Sequence, residues 1–294
     1  MQNKALIIHN WRQSPPEERG TGTVRRGNRR SDMHEIDWIR DSRSFDQVAE
    51  LYDAHRPSYP EQMIEDILSI ASVPQDGKIL EIGSGTGKAT QQFARRGYAM
   101  LCIEPGEHLA ALARRKLKAY PQVGFQNSTF EEWQAEDGSF DLAFSGQAFH
   151  WIAPELRYTK TARILKEPGH LALFWNWVLP DDNQLTRRLD EVYAQTVPEL
   201  VSESSESHEE AIQRWSEEIE TSLEFDLAAV RRYPWEQDYP TRQYLGLLNT
   251  YSDHLRLADE RRQQLFEAIE RGIDEAGGAI HKRYEAVVFV GRKR

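Results

Sequence analysis

A chain of 294 residues with 39% hydrophobic content and eight tryptophans has enough apolar surface for one large α/β core, which excludes a disordered or fibrous class. Its formal net charge of −10 argues against general nucleic-acid binding, which needs a basic footprint. The single Cys102 excludes an intrachain disulfide, and no apolar run approaches the roughly 18 residues of a membrane helix, so a cytoplasmic protein with no membrane partner is expected.

Residues 1–40 read as a disordered leader. Its basic run of Arg25, Arg26, Arg29 and Arg30 admits a nucleic-acid arm or a targeting peptide as alternatives, and Met33 offers an alternative start. Residues 41–75 form an N-terminal helical cap: Phe45, Val48, Ala49 and Tyr52 share a helical face, the prolines of Arg56-Pro57-Ser58-Tyr59-Pro60 break it, and Met63, Ile64, Ile67 and Leu68 line a second helix.

From residue 78 short apolar runs alternate with helical stretches, the mark of βαβ units around a parallel sheet. Strands are predicted at 78–82, 99–104, 123–126, 140–145 and 170–176, with helices at 86–96, 107–119 and 154–166, making residues 76–178 the core. Residues 179–280 read as a mainly helical lid: two acidic helices joined by a mobile loop at 202–207, a sixth strand at 228–238, and helices at 241–252 and 259–275. The acidity fits a solvated helical surface or the recognition of a cationic substrate. Residues 281–294 supply a closing strand, 284–290.

The most informative segment is Glu81-Ile82-Gly83-Ser84-Gly85-Thr86-Gly87, where a strand runs into a glycine-rich turn that opens a helix. Glycines let the backbone pass close to a ligand with positive φ, and the start of a helix offers unpaired N–H groups. Lys88 stands where a G-x-G-x-x-G dinucleotide motif would place its third glycine.

This segment resembles motif I of class I S-adenosylmethionine-dependent methyltransferases, and the alternating core is similar to theirs. The resemblance is strongest to the small-molecule branch, methyltransferase type 11, that includes ubiquinone/menaquinone-type and trans-aconitate-type enzymes. Phe45 to Pro60 follows that branch's Phe-Asp-x-x-Ala-x-x-Tyr-Asp-x-x-Arg-Pro-x-Tyr-Pro, Gln147 to Trp151 its Gln-Ala-x-His-Trp, and Arg163 to Gly169 its Arg-x-Leu-Lys-x-Pro-Gly. The resemblance implies a Rossmann-like, seven-stranded, mostly parallel sheet with helices on both faces. It also implies S-adenosylmethionine as cofactor and methyl transfer to a small-molecule acceptor through oxygen, carbon or a carboxylate.

By the same resemblance Glu81, Gly83, Ser84, Gly85, Thr86 and Gly87 wrap the cofactor, Glu104 takes the ribose hydroxyls with Pro105 and Leu109 beside it, and Gly146 and Gln147 meet the methionine end. Thr129 and Phe130 follow strand 3, where the family contacts adenine, although Phe130 equally suits a core position. His150 has two readings, a general base or a ring packed beside the cofactor. Tyr52 and Tyr59 are the other catalytic candidates. Arg56 either holds a carboxylate through its planar fork or closes a helix-end salt bridge, and Trp151, Trp175 and Asn176 complete the substrate candidates.

The nine histidines show no metal-binding spacing, so no metal is expected. The exit of strand 4 lacks the Asp/Asn-Pro-Pro-Tyr pattern of methyltransferases that act on exocyclic or amide nitrogens. Two rivals stand beside methyl transfer: a nicotinamide-dependent oxidoreductase, for which a Tyr-x-x-x-Lys dyad is missing, and a cofactor-binding scaffold or rearrangement catalyst.

Overall fold

The structure, a computed structural model, describes residues 46, 48–201 and 206–294. The expected leader with its basic run, Phe45 of the leading motif, and most of the serine- and glutamate-rich loop lie outside the described residues.

Two helices, α1 (Ala49–His55) and α2 (Glu61–Ile70), precede the sheet, separated where Pro57 and Pro60 deny the backbone a helical ladder. Then β1 (Lys78–Ile82), β2 (Ala99–Ile103), β3 (Val123–Gln126), β4 (Phe140–Gly146) and β5 (Leu165–Val178) alternate with α3 (Lys88–Ala94), α4 (Glu107–Lys116) and α5 (Pro154–Ile164). After β5 come α6 (Gln184–Thr196), α7 (His208–Thr221), β6 (Phe225–Pro240), α8 (Thr241–Leu248), α9 (Ser252–Leu255), α10 (Asp259–Glu275) and β7 (Ala279–Lys293). The sheet order is β3-β2-β1-β4-β5-β7-β6, with β1 to β5 parallel and β7 antiparallel to both β5 and β6. The expected seven-stranded, mostly parallel sheet with helices on both faces is therefore present.

Strand periodicity sorts the core into two layers. Ile79 and Cys102 face α2 and α3, whose Met63, Ile64, Ile67 and Phe93 are fully buried. Leu80, Ile82, Leu171 and Trp175 face the opposite side, covered by Tyr158 of α5 and by Trp215 and Ile219 of α7. A third cluster holds α6, α8 and α10 against Tyr239, Ile280 and Tyr284 at the far ends of β6 and β7.

The two acidic helices read as one lid therefore part company. Ala211, Trp215 and Ile219 sit four residues apart on α7, and that stripe docks on the sheet as an ordinary core helix. Only α6 joins α8 and α10 over the strand ends. The predicted helix at 241–252 breaks into α8 and α9, where Thr250 turns its hydroxyl back onto the carbonyl of Leu247 at 2.6 Å. Strands β6 and β7 outrun their predicted ends because they pair from Phe225↔Lys293 to Pro240↔Ala279, so ladder bonds hold polar residues that carry no apolar signal.

Candidate cofactor-binding and active site

At the carboxyl end of β1 the chain turns through Gly83, Gly85 and Gly87, at φ +73°, +54° and +78°. This left-handed region favours glycine. The amides of Gly83 and Ser84 donate to the carbonyl of Ile103 on β2 at 2.9 and 3.2 Å, and that of Gly87 to Ser84 at 2.9 Å. A Cβ on Gly83 would lie 2.4 Å from that of Ala148, whereas one on Gly85 would meet nothing within 4 Å. The turn is locked on its protein side and open toward a cavity over the ends of β1, β4 and β5.

Glu104 follows β2 directly. Its carboxylate accepts the amides of Gly85 at 2.7 Å and Gly106 at 2.9 Å, so it braces both the turn and the start of α4. Burial pushes its pKa up to about 7, against the lowering effect of those two amides. The N–H groups expected to await a ligand are thus largely spent on the protein, and the ligand-facing features are the open edge at Gly85 and the carboxylate beside it. Glu81 points toward α3, accepts from the Thr90 hydroxyl at 2.5 Å, and sits 3.6 Å from the Cys102 sulfur. Burial raises its pKa to about 8, so it carries a proton at neutrality.

The N-terminal segment closes onto this turn. Asp53 of α1 accepts from the Thr86 hydroxyl at 2.8 Å and from Lys116 of α4, and the Lys88 ammonium donates to the Asp53 carbonyl at 2.7 Å. Burial opposes the Asp53 charge, but the Lys116 and Thr86 bonds outweigh it and hold the carboxyl below its usual range. Asp46 caps α4 from a distance: its Oδ1 accepts the amides of His108 and Leu109 at 2.7 and 2.9 Å, a role Gly106 at the N-cap has no side chain to play.

Tyr59 packs edge-on against Phe174 with ring centroids 4.8 Å apart, and a Cβ on Gly146 would fall 2.9 Å from its hydroxyl. Gly146 is the residue that lets this ring lie over β4. Next to it Gln147 holds φ +61°, strained for a residue with a side chain; its amide donates to Phe174 at 3.0 Å and its Nε2 to the Asn176 carbonyl at 3.3 Å. Asn176 ties Ser58 to β6, donating to the Ser58 carbonyl at 3.0 Å and accepting from the Trp235 indole at 3.2 Å. Arg56 makes no salt bridge; it donates to the hydroxyl and carbonyl of Thr250 at 2.7 and 2.8 Å.

Of the candidates from sequence, Tyr52, Arg56, Tyr59, Glu81, Gly83, Ser84, Gly85, Thr86, Gly146, Gln147 and Asn176 meet around one cavity. Gly87 stands behind it against Leu117. Glu104 and Pro105 lie at its edge, the Glu104 and Pro105 carbonyls both receiving Asn127. Thr129 caps the following turn, its hydroxyl accepting the Glu132 amide at 3.2 Å. Leu109 is buried with Ala49 and Leu112, and Phe130 with Trp133.

Trp175 requires a correction: it is fully buried and stacked on Trp215 at 4.3 Å, because its place in the strand alternation points it under α7. The wall of β5 is built by Asn176, Trp177 and Val178 instead. His150 and Trp151 pack ring to ring at 4.8 Å and stand outside the cavity wall. Burial, then the neighbouring Arg157 and Arg214, hold His150 well below its ordinary pKa and neutral.

The sequence reading missed Tyr251 and Tyr284, which reach the cavity from distant elements. It also missed Lys160, a buried ammonium on α5 that donates to the carbonyls of Phe130 at 2.6 Å, Glu131 at 3.0 Å and Trp133. No local motif marks these residues. Among the described residues no cluster of three or more metal-ligating side chains occurs, and no helix is long and apolar enough to cross a membrane.

Comparison with known proteins agrees with this geometry. Residues 80–173 match the methyltransferase domain family. An uncharacterized methyltransferase of Mycobacterium tuberculosis is 33% identical over 135 residues, 46% of this chain and 53% of that protein. An uncharacterized methyltransferase-like protein of Schizosaccharomyces pombe is 24% identical over 78% of this chain and 86% of its own length. The chain spans about half the length of the first curated relatives it matches, 53% and 49%. A solved structure from Anaeromyxobacter dehalogenans, assigned to the type II methyltransferases, superposes with a TM-score of 0.54 at 19% identity, covering 81% of this chain and 97% of that one, which establishes the shared fold. Sheet order, glycine turn and family match together identify residues 80–173 as a methyltransferase domain of the class I, S-adenosylmethionine-dependent kind.

Proposed function

We propose that the protein transfers a methyl group from S-adenosylmethionine to a small molecule held over the ends of β4 and β5. The observation that carries this reading is the open edge of the glycine turn at Gly85, set beside the buried Glu104 carboxylate and facing an aromatic-walled cavity. These residues fit the cofactor: a cradle that a side chain on Gly85 would fill, and an acid able to accept hydroxyl donors. The turn, Glu104 and Gln147 would hold it.

When bound, the cofactor supplies a methyl group on a positively charged sulfur that is itself the leaving group. The protein's contribution is alignment and the exclusion of water. Tyr59, pinned over Gly146, and Asn176, which anchors Ser58, close the cavity from the N-terminal side. Burial holds the Tyr52 and Tyr59 hydroxyls protonated, so they donate hydrogen bonds and do not abstract protons. His150, outside the cavity wall, is a packing residue in this reading. Asp53, Lys88 and Lys116 clasp α1 to the turn, and α8 and α9 complete the cover through Thr250.

Incubation with methyl-labelled S-adenosylmethionine and a small-molecule extract tests the proposal. Label in a new small molecule is the expected result. Tight binding of S-adenosylhomocysteine with no label transferred would reduce the protein to a cofactor binder.

A further inference from the structure

Resting on the methyl-transfer reading above, the cavity also carries information about its second ligand. Arg56 spends Nε and Nη2 on Thr250 and lies 4.2 Å from the ring centre of Tyr251 and 5.3 Å from that of Tyr52. No ion pair among the described residues includes it. A part-buried guanidinium without a counter-ion is costly unless a ligand supplies the charge. The other cation on the wall, Lys88, already has Asp53 at 4.0 Å. Glu81 is the sole acid on the wall, and its proton leaves it neutral. Within a chain of net charge −10 the cavity is thus locally positive, and a sulfonium cofactor would add to that charge.

The cavity also offers no proton acceptor. Tyr52, Tyr59 and Glu81 all hold their protons at neutral pH. An acceptor that must lose a proton during transfer finds nothing to take it, whereas one that arrives as an anion needs no base. The geometry points to an acceptor bound as a carboxylate anion, received by the Nη1 edge of Arg56, with its body packed among Tyr59, Trp177, Tyr251 and Tyr284. A planar fork suits a carboxylate, and Thr250 fixes its orientation so that little freedom is lost on binding.

The methionyl carboxylate of the cofactor is the other possible source of this charge, and the test separates the two. A small-molecule extract of bacterial and yeast cells is split on an anion exchanger into retained and flow-through pools, and each is incubated with methyl-labelled S-adenosylmethionine and the protein. The expected result is label from the retained pool alone. Arg56→Gln should cut it at least tenfold while S-adenosylhomocysteine affinity, read by calorimetry, stays within threefold. Arg56→Lys keeps the charge and loses the fork, so it carries the same comparison if the glutamine variant fails to fold. Label from the flow-through pool would overturn the proposal. So would a tenfold loss of S-adenosylhomocysteine affinity in either variant, which would assign Arg56 to the cofactor. Label from neither pool, with S-adenosylhomocysteine still bound, would fail the methyl-transfer reading itself.

Discussion

Gly83 and Gly85 share a left-handed backbone but face opposite surroundings, so alanine at each should separate folding from ligand binding. At Gly85 the added methyl meets no protein atom within 4 Å, and φ of +54° is the only structural penalty. That conformation costs an L-residue about 1–2 kcal/mol, offset by about 0.4–1 kcal/mol from the stiffer unfolded chain. The net loss is about 1 kcal/mol or less, a melting shift of roughly 2–4 °C per kcal/mol in a large domain. At Gly83 the same strain is joined by a methyl 2.4 Å from the Ala148 Cβ, an overlap the backbone must move to relieve. Overpacking of this kind adds about 1–3 kcal/mol. Gly83→Ala should therefore lose at least twice the stability of Gly85→Ala in thermal and denaturant melts. Gly85→Ala should lose ligand affinity while still folded, because its methyl occupies the open edge: S-adenosylhomocysteine should bind at least tenfold more weakly by calorimetry, about 1.4 kcal/mol. An unchanged affinity in folded Gly85→Ala would show that the cofactor does not lie against this turn.

Three further outcomes follow from the same contacts. Glu104→Gln keeps one acceptor oxygen for the amides of Gly85 and Gly106, so S-adenosylhomocysteine affinity should fall by about 1.5–3 kcal/mol; an unchanged Kd would make Glu104 a brace alone. Glu81 holds its proton up to about pH 8 in the fold, against an ordinary 4.5, so its contribution to stability is fully present below pH 4.5 and is lost as pH rises through 8. With Glu104 raised to about 7, apo melting temperature should decline from pH 5 to pH 9, and Glu81→Gln should flatten the part above pH 7, on the order of 4 kcal/mol; an identical slope in the variant would refute this. Lys160→Met leaves the carbonyls of Phe130, Glu131 and Trp133 without their donor and should cost about 2–3 kcal/mol in urea unfolding, an effect that an unshifted midpoint would exclude.

The alternating core was legible in the sequence because its signals are local. Parallel strands buried on both faces read as short apolar runs, and β1 and β3 fall on their predicted residues. The glycine turn, the acid after β2 and the Arg-Pro-x-Tyr-Pro segment announce themselves for a similar reason: each needs a particular backbone or side chain within a few residues. Trp175 and Trp177, two positions apart in one aromatic run, show where this ends, since one is fixed beneath α7 and the other reaches the cavity at the strand's end. The same holds for α6 and α7, alike in acidity and separated only by what each buries. Arg56 presented a carboxylate fork and a helix-end salt bridge as equals, and the choice fell to Thr250, a residue 194 positions away that accepts both of its bonds. Chain-local chemistry determined the turn and the sheet; the surroundings of the cavity were set by long-range packing, where a side chain's partner is chosen by the layer it meets and not by its neighbours in sequence.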